Sequence, residues 1–193
     1  MMAESTRAVL VGCGGMSRAW LNACSERDDV DIIGLVDIDN ANARTLAEEF
    51  GLDKTLLGDD LKAMLKKVDS DVGFDVTVPA AHTEVACTTL RHGSHVLGEK
   101  PLADSMAKAR RAIRAAAVKK SGDFISEMKN VKVPVLAKKD RVGGHAGLLE
   151  EFLWSVRKGV APETVCTDNI KSLAMFFGAI ESAKRGRQVA LKL

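Results

Sequence analysis

Tyrosine is absent from this 193-residue chain, and aromatic residues make up only 4% of it. Rows of rings on which nucleic-acid bases could stack are therefore not expected. Charge of one sign is also scarce: the formal net charge is +2, so composition gives a polyanion no footprint and nucleic acid is not an expected partner. Apolar runs are short, as in Ile32-Ile33-Gly34-Leu35-Val36, well below the ~20 residues a helix needs to cross a bilayer. The first seven residues hold no basic region followed by an apolar stretch, so neither a secretory signal nor a membrane partner is expected. Cysteine is limited to Cys13, Cys24, Cys87 and Cys166, at unrelated spacings. These match neither a zinc-ligand pattern nor a redox dithiol. No metal site is expected, and reduced thiols in a cytoplasmic protein are the plain reading.

What is present is an ordinary globular composition, 46% hydrophobic and 28% charged. The first half alternates strand and helix signals. Residues 7–11 form an apolar run closed by glycine, as a buried parallel strand requires. Residues 17–27 carry Ala19, Trp20, Ala23 and Cys24 at helical spacing, and 31–36 is the next strand. Helices are predicted over 40–50 and 59–68, a strand over 73–78, a helix over 82–92, a strand over 94–97 and a helix over 103–117. This order predicts an α/β fold, a Rossmann-type doubly wound parallel sheet, followed by a shortened and mostly helical C-terminal segment.

The second half is less regular. Residues 131–136 form an apolar island that fits a lone strand or an exposed connector equally well. A helix is predicted over 148–156, with Leu149, Phe152, Leu153 and Val156 on one side. A longer one follows, capped by Asp168 and running to Lys184, with Leu173, Phe176, Phe177 and Ile180 as its apolar face. The alternation in 188–193 predicts a final strand. The division expected is a dinucleotide-binding domain over 1–120 and a helical remainder over 121–193.

The loop Gly12-Cys13-Gly14-Gly15-Met16-Ser17 follows a predicted strand and opens a predicted helix. Gly12 suits a tight turn, Gly14 lets the backbone approach a pyrophosphate, and free N–H groups at the helix start favour its charge. Ser17, where a third glycine is usual, is still small enough for close helix–strand packing. Asp37 ends the next strand at the spacing expected of a carboxylate that accepts from adenosine ribose hydroxyls. Its charge repels a 2′-phosphate, so NAD is expected in preference to NADP. The competing reading is a plain strand–helix turn in a nucleotide-free α/β protein.

Two further segments lie at carboxyl ends of later strands, where open α/β sheets bind ligands. They are Thr77-Val78-Pro79-Ala80-Ala81-His82 and Gly98-Glu99-Lys100-Pro101-Leu102. With VGCGGMS and LVDIDNANARTLAEEFG, the stretches DVTVPAAHTEV and HGSHVLGEKPLADS make residues 7–117 resemble the glucose–fructose oxidoreductase, inositol dehydrogenase and MocA (Gfo/Idh/MocA) family. Segments near the C-terminus are similar to the final part of such an enzyme. The resemblance implies an NAD(P)-dependent dehydrogenase of a sugar, polyol or related hydroxy compound. It implies Lys100 as the catalytic residue near nicotinamide and substrate hydroxyl, with Glu99 setting the strand end. Cofactor contacts are implied at Gly12, Cys13, Gly14, Gly15, Met16, Asp37, Pro79, His82, Glu99 and Lys100. Against this stand a solvated surface lysine for Lys100 and a histidine that only packs for His82. His92 and His95 are read as structural, and His145 carries no strong functional expectation.

Members of the family also carry a large second domain, in which an aspartate and a histidine on one helix assist proton transfer. That helix is not found here, and only about 25 residues separate Ala117 from Gly143. Hydride transfer needs the substrate carbon held against the nicotinamide and a base for the hydroxyl proton. A lysine serves as that base near neutral pH only when desolvated or placed beside other charges. The expectation is therefore dinucleotide binding with little or no turnover. The alternative is an inactive nucleotide-binding module or gene remnant. The apolar C-terminal helices are candidates for a homo-oligomer contact.

Overall fold

A computed structural model describes residues 5–120 and 143–191. Five parallel strands form one sheet: β1 (Thr6–Val11), β2 (Val30–Val36), β3 (Leu56–Gly58), β4 (Val72–Asp75) and β5 (His95–Gly98), in the order β3-β2-β1-β4-β5. The order reverses beside β1, so the strand ends there open into a crevice. Helices α1 (Ser17–Ser25) and α2 (Asn40–Phe50) connect the first strands. They are followed by α3 (Leu61–Lys67), α4 (Pro79–His92), α5 (Met106–Lys120), α6 (Gly144–Lys158) and α7 (Cys166–Arg185).

The period of two along β1 sorts its side chains onto two faces. Ala8 and Leu10 join a core with Trp20 and Leu21 of α1, Leu46 of α2, Phe74 of β4, and Leu149, Phe152 and Leu153 of α6. Val9 and Val11 join the opposite core with Met64 and Leu65 of α3 and Val85 of α4. β1 is thus buried on both sides, which explains its unbroken apolar sequence. Gly73 of β4 lets α4 close on the sheet: a Cβ there would meet the Thr89 Cγ2 at 2.6 Å.

The helices stop where residue chemistry dictates. Asp39 caps α2 through the Ala41 N–H, and Asp60 caps α3 through the Ala63 N–H. Gly51, Gly93, Gly159 and Gly186 end α2, α4, α6 and α7 in the left-handed conformation.

Several expectations are corrected. β3 was not foreseen; it is a three-residue edge strand whose Leu56 and Leu57 are exposed, so no alternation marks it. β4 ends at Asp75 rather than residue 78, because the Asp75 carboxylate takes the Thr77 N–H and turns the chain. α4 starts at Pro79 rather than His82, since proline fits the first helical turn. α5 starts at Met106 rather than Ala103, and α6 four residues before Leu148. In α7 the cap position is Val165. Asp168 lies inside the first turn and pairs with Lys171 at 2.9 Å.

The apolar face of α7 is also rotated from expectation. Ile170, Leu173 and Ala174 are buried and Phe177 packs beside them, facing Ala103 and Ala109. Phe176 is exposed, as are Ile180 and, on α6, Trp154. Residues 188–191 form no strand, for none of the five strands pairs with them. The apolar island at 131–136 lies outside the described residues.

Candidate functional site

The loops after β1, β2, β4 and β5 meet at one end of the sheet, and successive contacts join them. Gly12 leaves β1 with φ +94°, and its N–H donates to the Val36 carbonyl at 2.8 Å. A Cβ at Gly12 would lie 2.7 Å from the Val76 carbonyl oxygen. A side chain is thus excluded by backbone contact as well as by conformation. Gly14 and Gly15 differ: a Cβ on either would meet nothing within 4 Å. With Met16 they form the exposed outer rim of the loop. Ser17 turns inward, fully buried, and its hydroxyl donates to the Gly14 carbonyl. The small third residue is therefore used to brace the turn from beneath.

Asp37 is where β2 meets this loop. Its Oδ2 accepts the Cys13 N–H at 2.7 Å, while Oδ1 accepts from the Asp39 N–H at 2.9 Å and the Asn42 side-chain amide at 3.2 Å. A carboxylate has about four acceptor directions, and three are taken by this chain. The Cys13 side chain points the other way, into the core, and its thiol is pushed up to about 12 by burial and then by the Asp37 charge. Only the backbone of Cys13 faces the loop's open side. Ile38 stands nearly bare beside Asp37, and Val78 is exposed beside Pro79.

Across the crevice, Asp75 is buried, and burial pushes its carboxyl above the usual range despite hydrogen bonds from Thr77. The Thr77 hydroxyl donates to it at 2.6 Å. Pro79 is exposed at the first turn of α4. His82 is not: it is buried, with Nε2 2.9 Å from the Thr77 carbonyl and Nδ1 2.8 Å from the Pro101 carbonyl.

The end of β5 divides two adjacent residues. Glu99 points toward the α1 and α6 side, where its Oε1 accepts the Trp20 indole N–H at 2.9 Å and lies 3.2 Å from His145 Nε2. Burial pushes the Glu99 carboxyl up. The bonds from Trp20, His145 and the Lys100 backbone N–H outweigh this and hold it below the usual carboxylate range. Lys100 itself is exposed, ahead of a cis peptide bond to Pro101. The sequence did not foretell that His145, 46 positions away, closes on Glu99, nor the buried Asp75. For Asp75, a carboxylate within an apolar strand run was the available signal. For His145 there was none.

All ten singled-out residues therefore sit beyond the carboxyl ends of the strands, Pro79 and His82 in the first turn of α4 and the others on the connecting loops. Gly14, Gly15, Met16, Pro79 and Lys100 present open surface, and Asp37 is half-buried. Cys13 and His82 are buried, and Glu99 is engaged by Trp20 and His145. Among the described residues, no helix is long and apolar enough to cross a membrane.

The oxidoreductase family with an NAD-binding Rossmann fold, Gfo/Idh/MocA, matches residues 6–125. A glucose-6-phosphate 3-dehydrogenase of Bacillus subtilis is 32% identical over 101 residues, covering 52% of this chain and 27% of the relative. Among solved structures, the WlbA dehydrogenase from Chromobacterium violaceum, in complex with NADH and UDP-GlcNAcA, superposes with a TM-score of 0.55 at 28% identity. The match covers 62% of this chain and 34% of that one. The 3-ketoreductase KijD10 from Actinomadura kijaniata, in complex with NADP, gives 0.53 at 26% identity, covering 60% and 36%. The chain thus spans only about a quarter to a third of the length of these relatives. From the family match over more than half of its residues, it belongs to the Gfo/Idh/MocA dehydrogenases and carries their NAD(P)-binding Rossmann fold.

Proposed function

We propose that this chain binds NAD(H) in the crevice at the carboxyl ends of the strands. The pyrophosphate would lie over Gly12, Cys13, Gly14, Gly15 and Met16, and the adenosine ribose against Asp37. Pro79, His82, Glu99 and Lys100 would border the nicotinamide side, His82 and Glu99 through the loops they hold. The observation that carries this reading is the fit of the phosphate loop. A side chain is barred at Gly12, open space lies over Gly14 and Gly15, and the Asp37 carboxylate is bonded to the Cys13 N–H. Oriented N–H groups at the start of α1 add a favourable field for an anion. NAD is preferred to NADP because the Asp37 charge would face a 2′-phosphate.

When bound, the nicotinamide supplies a hydride acceptor or donor. The substrate class is a sugar, polyol or related hydroxy compound, and Lys100 would exchange the hydroxyl proton. Lys100 stands exposed at the end of β5, which favours a second reading in which dinucleotide binding is retained and turnover is slow or lost. In that reading residues 1–120 are the binding domain, and 121–193 are what this chain keeps of the family's remaining portion.

Titration of the full chain with NADH, followed by nucleotide fluorescence and calorimetry, tests the binding. Saturable binding at one site is expected, weaker for NADPH. Absence of saturable binding would refute the proposal. Sustained NAD-dependent oxidation across a panel of sugars and polyols would refute the second reading alone.

A further inference from the structure

The ring of His82 joins two loops that the sequence keeps apart. It lies in the first turn of α4, 3% exposed, with the Thr77 carbonyl 2.9 Å from Nε2 and the Pro101 carbonyl 2.8 Å from Nδ1. Thr77 belongs to the loop after β4 and Pro101 to the turn that carries Lys100. Both partners are carbonyl oxygens, which only accept. A neutral imidazole has one N–H and one lone pair, so it donates to one carbonyl and turns its lone pair toward the other. A ring with two N–H groups donates to both. Neither nitrogen is then open to a bound molecule, so any effect of His82 on the site passes through the two loops.

We propose that His82 is a positioning residue whose ring clamps the loop after β4 to the Lys100-Pro101 turn, by one hydrogen bond when neutral and by two when protonated. The charged groups around the ring pull in both directions. Asp75, on β4, is buried, and its charge acts favourably on a protonated His82 while its oxygen holds Thr77. The N-terminal dipole of α4 opposes a cation there. From α5, Lys108 pairs with Asp104 and reaches the Ala80 carbonyl at 3.5 Å, and Arg111 pairs with Glu84 farther along α4. Lys100 adds a further cation in the clamped turn itself. Two carbonyls facing one ring form the clamp. Its consequence for a ligand rests on the dinucleotide reading above.

The clamp is tested without any ligand. In the full chain labelled with 15N and 13C, the His82 ring nitrogens and the carbonyl carbons of Thr77 and Pro101 are followed from about pH 5 to pH 9. The expected result is that both carbonyl resonances move with the same midpoint as the ring. Carbonyls that stay still while the ring titrates, or ring nitrogens that show no hydrogen-bond coupling to either carbonyl, overturn the clamp. A second arm measures NADH affinity for the wild type, His82→Phe and His82→Gln, each across the same pH range. His82→Phe keeps similar volume without a donor, and about tenfold weaker binding with a flat pH profile is expected. His82→Gln keeps one donor and should recover most of that loss. Equal affinities and profiles in all three overturn the positioning role. Failure of the wild type to bind NADH overturns the function proposed above, and the resonance measurement still decides the clamp.

Discussion

Replacing Asp37 separates two roles that one carboxylate holds at once. In the free chain it accepts from the Cys13 and Asp39 N–H groups and from the Asn42 amide. Asp37→Ala leaves the Cys13 N–H, on a residue only 4% exposed, without its partner. An orphaned donor of this kind costs ~1–3 kcal/mol. The bonds to Asp39 and Asn42 are exposed and add little. For a chain of this size ~1 kcal/mol lowers Tm by ~2–4 °C, so a fall of ~2–12 °C is expected. Asp37→Asn keeps a side-chain oxygen that can accept from Cys13 N–H, and its Tm should fall by much less. The charge, however, is gone in both variants, and with it the repulsion of a 2′-phosphate. Thermal unfolding paired with NADH and NADPH fluorescence titrations separates the roles. Asp37→Asn should keep the wild-type Tm within about a degree while the preference for NADH over NADPH narrows about tenfold. An unchanged Tm in Asp37→Ala would refute the bracing role, and an unchanged cofactor ratio in both variants would refute the ribose assignment.

Two further outcomes follow from the packing. Asp29, just before β2, is bonded by Arg27 and by Arg157 of α6, which hold its carboxyl at about 2 against the penalty of burial. Because the folded value lies below the ordinary one, the stabilisation is complete above about pH 4 and is lost as pH falls through about 2. It amounts to roughly 1–2 kcal/mol after allowance for solvent screening, and Asp29→Asn should flatten the acid limb of stability against pH measured by urea unfolding. On the sheet, Gly73→Ala would press a methyl into Thr89, at a cost of ~1–3 kcal/mol. Adding Thr89→Ser, which removes the offending Cγ2, should restore most of it; a double variant no more stable than Gly73→Ala would show that the close approach is not the cause.

The order of strands and helices was legible because each main strand is an apolar run closed by glycine or a turn residue, and each helix shows its face. What escaped was whatever lacks local periodicity. β3 is too short and too exposed to alternate. Residues 188–191 alternate but pair with none of the five strands among the described residues. On α7, Phe176 and Phe177 are adjacent, so one of them had to point outward, and spacing alone did not say which. The positions of Gly12 to Ser17 and Asp37 were legible because their spacing is set by the βαβ unit itself. The bonds of His82 were not, since both partners are backbone carbonyls, which no residue type announces. The grip of Trp20 and His145 on Glu99 depends on three elements distant in sequence and appears only when α6 docks.

That docking also bears on how the chain comes to be folded. Leu149, Phe152 and Leu153 fill the core against Trp20 and Leu21, more than 120 positions earlier. Contacts across so long a stretch carry a loop-closure cost that local pairings do not, and they form after those pairings. As the chain leaves the ribosome, the side of α1 that faces α6 therefore stays uncovered until residues 144–158 have emerged. Until α6 docks, this protein shows solvent, chaperones and its own neighbours a greasy flank that the finished molecule hides.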